Sequence, residues 1–118
     1  MATVSSDWLT RSRLSARQLS LLVQLDEKRS VLHAADAAYL TQPAASKFLT
    51  GLEDALGVAL FTRHARGVEP TPYGEILVRH ARGALAELRQ AIFRVRRIRK
   101  SRVPLFGHGC RFTARIIR

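Results

Sequence analysis

The sequence predicts a mainly α-helical chain: a helix-turn-helix with a small two-stranded wing, followed by one long helix. Three observations predict it. An Ala-rich segment, Ala34-Ala35-Asp36-Ala37-Ala38, is followed within a few residues by Thr41-Gln42-Pro43, which marks the start of another helix. Two short extended segments then flank the turn-forming His64-Ala65-Arg66-Gly67. Beyond them, apolar residues recur at spacings of 4 and 3 from Tyr73 to Ile98. Small residues let two helices approach closely, and a capped helix with polar residues outward suits a DNA major groove.

The elements follow in order. Residues 1–14 read as a flexible lead, and residues 15–71 as the winged helix-turn-helix. Ser15-Ala16-Arg17-Gln18 fits the S-x-x-Q capping box, so the first helix starts at Ser15. Leu19, Leu22 and Val23 share one side, widened by Leu21 and Leu25, and Asp26-Glu27-Lys28-Arg29 closes the helix. Ser30 can cap the second helix, predicted over 31–39, in which Val31, Ala34, Ala35 and Ala38 share a face. Thr41 caps the third, with Pro43 tolerated in its first turn because the missing N–H is not needed there. Its inner face is Ala45, Phe48, Leu49, Leu52, Ala55 and Leu56, and Gly57 suits the position that ends it. Gln42, Ser46, Lys47 and Thr50 are left outside. Tyr39 and Phe48 read as core or rim residues.

Residues 59–63 and 68–71 form the two sides of the wing, with 64–67 as its turn. Thr71-Pro72 is a cap followed by proline at the first helical position, and opens a linker helix over 72–100. Tyr73, Leu77, Ala81, Ala84, Leu88, Ala91, Val95 and Ile98 make a heptad-like seam along it. At 1.5 Å per residue this helix is ~40 Å long, more than so small a domain can cover, so the seam predicts a partner. Pro104, Gly107 and Gly109 end any helical pattern, leaving 101–118 as a basic tail.

At 118 residues and 47% apolar content there is room for one ordinary domain with a core. No run of about 18 uncharged apolar residues occurs, so no transmembrane helix is expected. The start of the chain lacks the apolar region of a secretory signal. A single cysteine, Cys110, excludes an internal disulfide framework and suits a reducing cytosol. The net charge of +11 is uneven. Residues 1–87 hold all nine acids against ten basic residues, whereas 88–118 hold ten basic residues and no acid. That excess points to a polyanion, either nucleic acid or an anionic membrane surface. His33, His64, His80 and His108 show no metal-ligand spacing, and no catalytic triad, paired carboxylates or phosphate loop is visible. No enzyme activity, metal or cofactor is expected.

Residues 15–92 resemble the N-terminal domain of LysR-type transcriptional regulators. The resemblance lies in Ala34-Ala35, Thr41-Gln42-Pro43-Ala44-Ala45-Ser46-Lys47, Leu52-Glu53-x-x-Leu56-Gly57, Leu60-Phe61-x-Arg63 and Thr71-Pro72-x-Gly74. It implies a winged helix-turn-helix with a dimerising linker helix, and sequence-specific binding to bacterial promoter DNA. Ala38 stands where the family usually has Leu, which thins the packing under the second helix. The family continues into an effector domain that residues 93–118 do not resemble; the expectation is a truncated, frame-altered or excised product, with an unusual but genuine tail as the alternative, that responds to no small-molecule effector.

Gln42 can pair with an adenine edge, Ser46 with a base edge or phosphate, and Lys47 with guanine or phosphate. The resemblance places base contacts at Gln42, Pro43, Ser46 and Lys47. Arg63 and Arg66 flank the wing tip, where arginines meet phosphates or enter the minor groove. Thr41 caps its helix and can also reach a phosphate, as can Arg17 near the start of the first helix. Tyr73, Leu77, Ala81, Ala84, Leu88, Ala91 and Val95 are assigned to the dimer seam. The expected function is a cytoplasmic, nucleoid-associated DNA-binding regulator, a homodimer on double-stranded promoter DNA with higher oligomers open and no membrane partner. Two alternatives are an interaction module that pairs through the linker helix with a full-length regulator, and a non-specific basic nucleic-acid binder.

Overall fold

The computed structural model describes residues 14–101. The lead before Leu14 and the tail beyond Ser101 lie outside the described residues, and so do the expectations for them. The elements are α1 (Ala16–Lys28), α2 (Val31–Ala37), α3 (Gln42–Leu56), β1 (Phe61–His64), β2 (Gly67–Pro70) and α4 (Pro72–Ser101).

The helix starts are those the sequence encodes. The Ser15 hydroxyl accepts from the Gln18 N–H at 3.3 Å, and the Gln18 side chain accepts from the Ser15 N–H at 2.9 Å. Ser30 accepts from the His33 N–H at 3.3 Å and Thr41 from the Ala44 N–H at 3.2 Å. Each cap satisfies an amide that the helix itself cannot. α2 ends at Ala37, two residues short of the expected end. The chain must reverse there to enter α3, and Tyr39 adopts a left-handed conformation (φ 59) to do so. The Leu40 N–H closes the reversal on the Ala35 carbonyl at 2.9 Å. Tyr39 is therefore a turn residue, 84% exposed, and not a core or rim residue.

The core gathers Leu21, Leu22, Val23 and Leu25 of α1, Ala34, Ala35 and Ala38 around α2, and Ala45, Leu49 and Leu52 of α3. Leu60, Phe61 and Val68 bring in the wing, and Val78 and Ala81 the start of α4. Each fully buried leucine contributes about 1.5–3 kcal/mol relative to exposure, and the alanines supply thin faces that let α2 cross its neighbours closely. Phe48 and Leu56 are half-buried as packing partners, whereas Ala55 is exposed and leaves the predicted inner face.

The wing is a two-stranded antiparallel ladder, with Phe61 opposite Pro70 and His64 opposite Gly67. The ladder is tighter than expected: His64 and Gly67 are its last pair, and the loop is only Ala65-Arg66. Gly67 has φ 133, and a Cβ there would overlap the Arg29 carbonyl. That carbonyl accepts from the Val68 N–H at 3.1 Å, so the end of α1 holds the first residues of β2, beside the wing turn.

One seam residue is corrected. Gly74, Val78 and Ala81 of α4 are buried and Leu85 is half-buried, a 4-3-4 stripe that packs on the domain itself. Ala81 belongs to this stripe, being 2% exposed, and not to an outward seam. Leu77 is half-buried against the same core. Tyr73, Ala84, Leu88, Ala91, Val95 and Ile98 are exposed. The described residues divide into two units between Leu85 and Ala86; in the second, every described residue is exposed.

Candidate nucleic-acid interface

Helix α3 presents a polar face. Gln42, Pro43, Lys47 and Thr50 are exposed and Ser46 is half-buried at the rim, while Ala45, Leu49 and Leu52 turn into the core. At about 100° per residue, Gln42, Pro43, Ser46, Lys47 and Thr50 fall within an arc of about 140°. Thr41 caps the start of this helix, and its oxygen accepts from the Ala44 N–H. A hydroxyl has one proton to give as well as lone pairs to share, so the Thr41 O–H can still donate outward. The α3 N-terminus carries partial positive charge from its aligned peptides, with no acid in the first turn to cancel it.

Behind this face α3 anchors the wing. Glu53, on the last turns of α3, accepts from the Leu60 N–H at 2.6 Å and the Phe61 N–H at 3.2 Å. The Thr71 hydroxyl donates to the Ala59 carbonyl at 2.6 Å and accepts from the Gly74 N–H at 3.2 Å. It therefore joins the approach to β1 to the first turn of α4. A Cβ on Gly74 would overlap the Leu60 carbonyl, so this crossing requires glycine.

At the wing tip, Arg63 and Arg66 are exposed, and neither has an ion-pair partner among the described residues. The His64 Nδ1 accepts from the Arg66 N–H at 3.2 Å, and its Nε2 lies 3.3 Å from the Glu69 carboxylate. Both ring nitrogens are thus engaged in holding the two-residue loop that presents Arg66. Arg17 is exposed in the first turn of α1, and no hydrogen bond joins it to α3 or the wing among the described residues.

Sequence reasoning missed the charge network between α1, the wing and α4. Arg82 contacts Glu27 at 2.6 Å and Asp26 at 2.9 Å; Asp26 contacts Arg29 at 3.1 Å; Arg29 lies 3.9 Å from Glu69. The Glu27 carboxylate, then that of Asp26, raises the Arg82 guanidinium above its ordinary pKa. These side chains are substantially exposed, so the network orients elements more than it stabilises them. No sequence signal pairs Arg82 with acids more than fifty residues earlier. Glu53, Thr71 and Gly74, by contrast, stand within recognisable motifs, and the structure supplies their roles.

Residues 16–75 match the family of bacterial regulatory helix-turn-helix proteins, lysR family. The chain belongs to the LysR family. Among LysR-family relatives, it is 50% identical over 86 residues to the HTH-type transcriptional regulator GbpR of Azospirillum brasilense, covering 73% of this chain and 25% of that protein. It is 40% identical over 80 residues to PcaQ of Agrobacterium fabrum, covering 68% and 26%. The chain thus spans about a quarter of the length of these relatives. In three dimensions it is similar to the BenM DNA-binding domain solved with catB site 1 DNA, at 32% identity and TM-score 0.65, covering 72% of this chain and 94% of that one. The CbnR DNA-binding domain in complex with DNA is similar at 29% identity and TM-score 0.63, covering 72% and 98%. The LysR-family fold, a winged helix-turn-helix followed by a long helix, is the fold seen here. Among the described residues, no helix is long and apolar enough to cross a membrane, and no group of His, Cys, Asp and Glu is arranged to hold a metal.

Proposed function

We propose that this chain is a sequence-specific DNA-binding transcription regulator that acts on double-stranded promoter DNA as a dimer, in the cytoplasm at the nucleoid. One observation carries the reading: a capped α3 with an exposed polar face stands on a fold similar to domains solved bound to DNA. α3 enters the major groove. Gln42 reads a base edge, and Pro43, Ser46 and Lys47 complete the base-facing set. Thr41, Arg17, Arg63 and Arg66 contact phosphates, with the wing arginines able to enter the minor groove. The exposed apolar residues of α4 (Tyr73, Ala84, Leu88, Ala91 and Val95, with Leu77 at the edge) pair two copies, so that two half-sites related by a dyad are read together. The reading assigns no enzyme activity, no cofactor and no small-molecule effector to these residues.

Selection of duplexes from a random pool by the purified chain tests it, followed by footprinting on the selected site. Two protected half-sites related by a dyad are expected. A pool that stays random after repeated rounds would contradict sequence recognition.

A further inference from the structure

The second half of α4 carries a charge pattern that neither a core nor a dimer seam requires. From Leu88 to Ser101 there are six cations (Arg89, Arg94, Arg96, Arg97, Arg99 and Lys100) and no acid, and every residue is exposed. At about 100° per residue the helix sorts them. Leu88, Ala91, Ile92, Val95 and Ile98 fall in one arc of about 120°, and this arc continues the exposed seam that begins at Tyr73. Arg89, Arg96 and Lys100, at i, i+7 and i+11, fall within about 40° of one another on another face, with Phe93 and Arg97 beside them. Only Arg99 intrudes on the apolar arc. None of the six has an ion-pair partner among the described residues.

Like charges at i, i+4, such as Arg96 and Lys100, oppose the helix that carries them, and a line of anions removes that opposition. The Arg89–Lys100 stripe rises about 16 Å along the axis. A duplex strand presents one phosphate per 3.4 Å of rise, so several phosphates fall within its length. Guanidinium groups meet phosphate oxygens in a paired fork. An anionic lipid surface would need the apolar arc as well, and that arc is the continuation of the seam assigned to a second copy. A phosphate backbone needs only the cations.

We infer that the cationic face of α4, with Arg89, Arg96 and Lys100 at its centre, is a second DNA contact surface that binds phosphates without reading sequence. The inference rests on the DNA-binding reading above. It predicts that the chain grips any duplex more tightly and with a steeper salt dependence than α3 and the wing alone provide.

The test compares the full chain with Arg89→Gln/Arg96→Gln/Lys100→Gln and with the charge-keeping Arg89→Lys/Arg96→Lys. Affinity is measured on the selected operator and on scrambled duplex across a salt series. Helicity is followed by circular dichroism and oligomeric state by sedimentation. The neutral variant is expected to keep its helicity and association state and to lose affinity by the same factor on both duplexes. Its plot of log affinity against log salt should be flatter by about 0.9 for each phosphate no longer neutralised, up to about 2.7 for three. The lysine variant should keep most of the wild-type slope. An unchanged slope in the neutral variant overturns the inference while a preference for the operator leaves the DNA-binding reading intact. Loss of binding to phosphatidylglycerol vesicles, with DNA binding unchanged, would assign the face to a lipid surface and equally overturn it. No operator preference in the wild type would instead fail the DNA-binding reading.

Discussion

The carboxylate of Glu53 accepts the backbone N–H of Leu60 at 2.6 Å, and this bond ties the far end of α3 to the entry of the wing. The two elements assigned to DNA are therefore set by one side chain, which also accepts from Phe61 at 3.2 Å. Glu53→Ala leaves two amides without an acceptor in a part-buried position, and should destabilise the fold by about 1–3 kcal/mol. Glu53→Gln keeps one acceptor oxygen and should lose less. Denaturant titration checks the order; an alanine variant as stable as wild type would remove Glu53 from this role.

Two glycines should respond in opposite directions to alanine. At Gly74 the added methyl meets the Leu60 carbonyl, so Gly74→Ala should cost about 1–3 kcal/mol as an overpacked crossing. At Gly51, inside α3, nothing lies within 4 Å of the added carbon. Gly51→Ala should stabilise by about 0.5–1 kcal/mol through helix propensity alone. Thermal melts of both variants decide this, and a stable Gly74→Ala would mean that α4 can shift away from β1 without loss.

The outward seam of α4, without Ala81, separates folding from association. Leu88 and Val95 are 50% and 65% exposed, so Leu88→Asp/Val95→Asp should leave the fold intact and give monomers by sedimentation. Ala81→Asp places a charge in the core and should unfold the domain instead. A double variant that still sediments as a dimer would put the association elsewhere.

Much of this architecture is legible from local chemistry. Ser15, Ser30 and Thr41 mark helix starts because capping involves residues only three apart, and Gly57 marks an end because its left-handed φ of 75 favours glycine. The wing turn is legible as a turn but not in its register, which the ladder and the Arg29 carbonyl fix together. Spacing alone misplaces Ala81, because two apolar stripes run along α4 and periodicity does not say which one the domain uses. The Arg82 pairs with Asp26 and Glu27 are not legible at all, since they depend on where α4 crosses α1. On α3, the sequence identifies which residues stand outward, and the structure bears that out for Gln42, Lys47 and Thr50, with Ser46 at the rim.

Gln42 is assigned to reading sequence, and the basic residues to holding the duplex. Wild type and Gln42→Ala should be titrated against the selected operator and a scrambled duplex across a salt series. A loss of about 1–3 kcal/mol on the operator and little loss on scrambled DNA is expected, with relaxed preference at one position of each half-site. The salt slope should be unchanged, because every phosphate-neutralising cation is still in place. An equal loss on both duplexes would contradict the account.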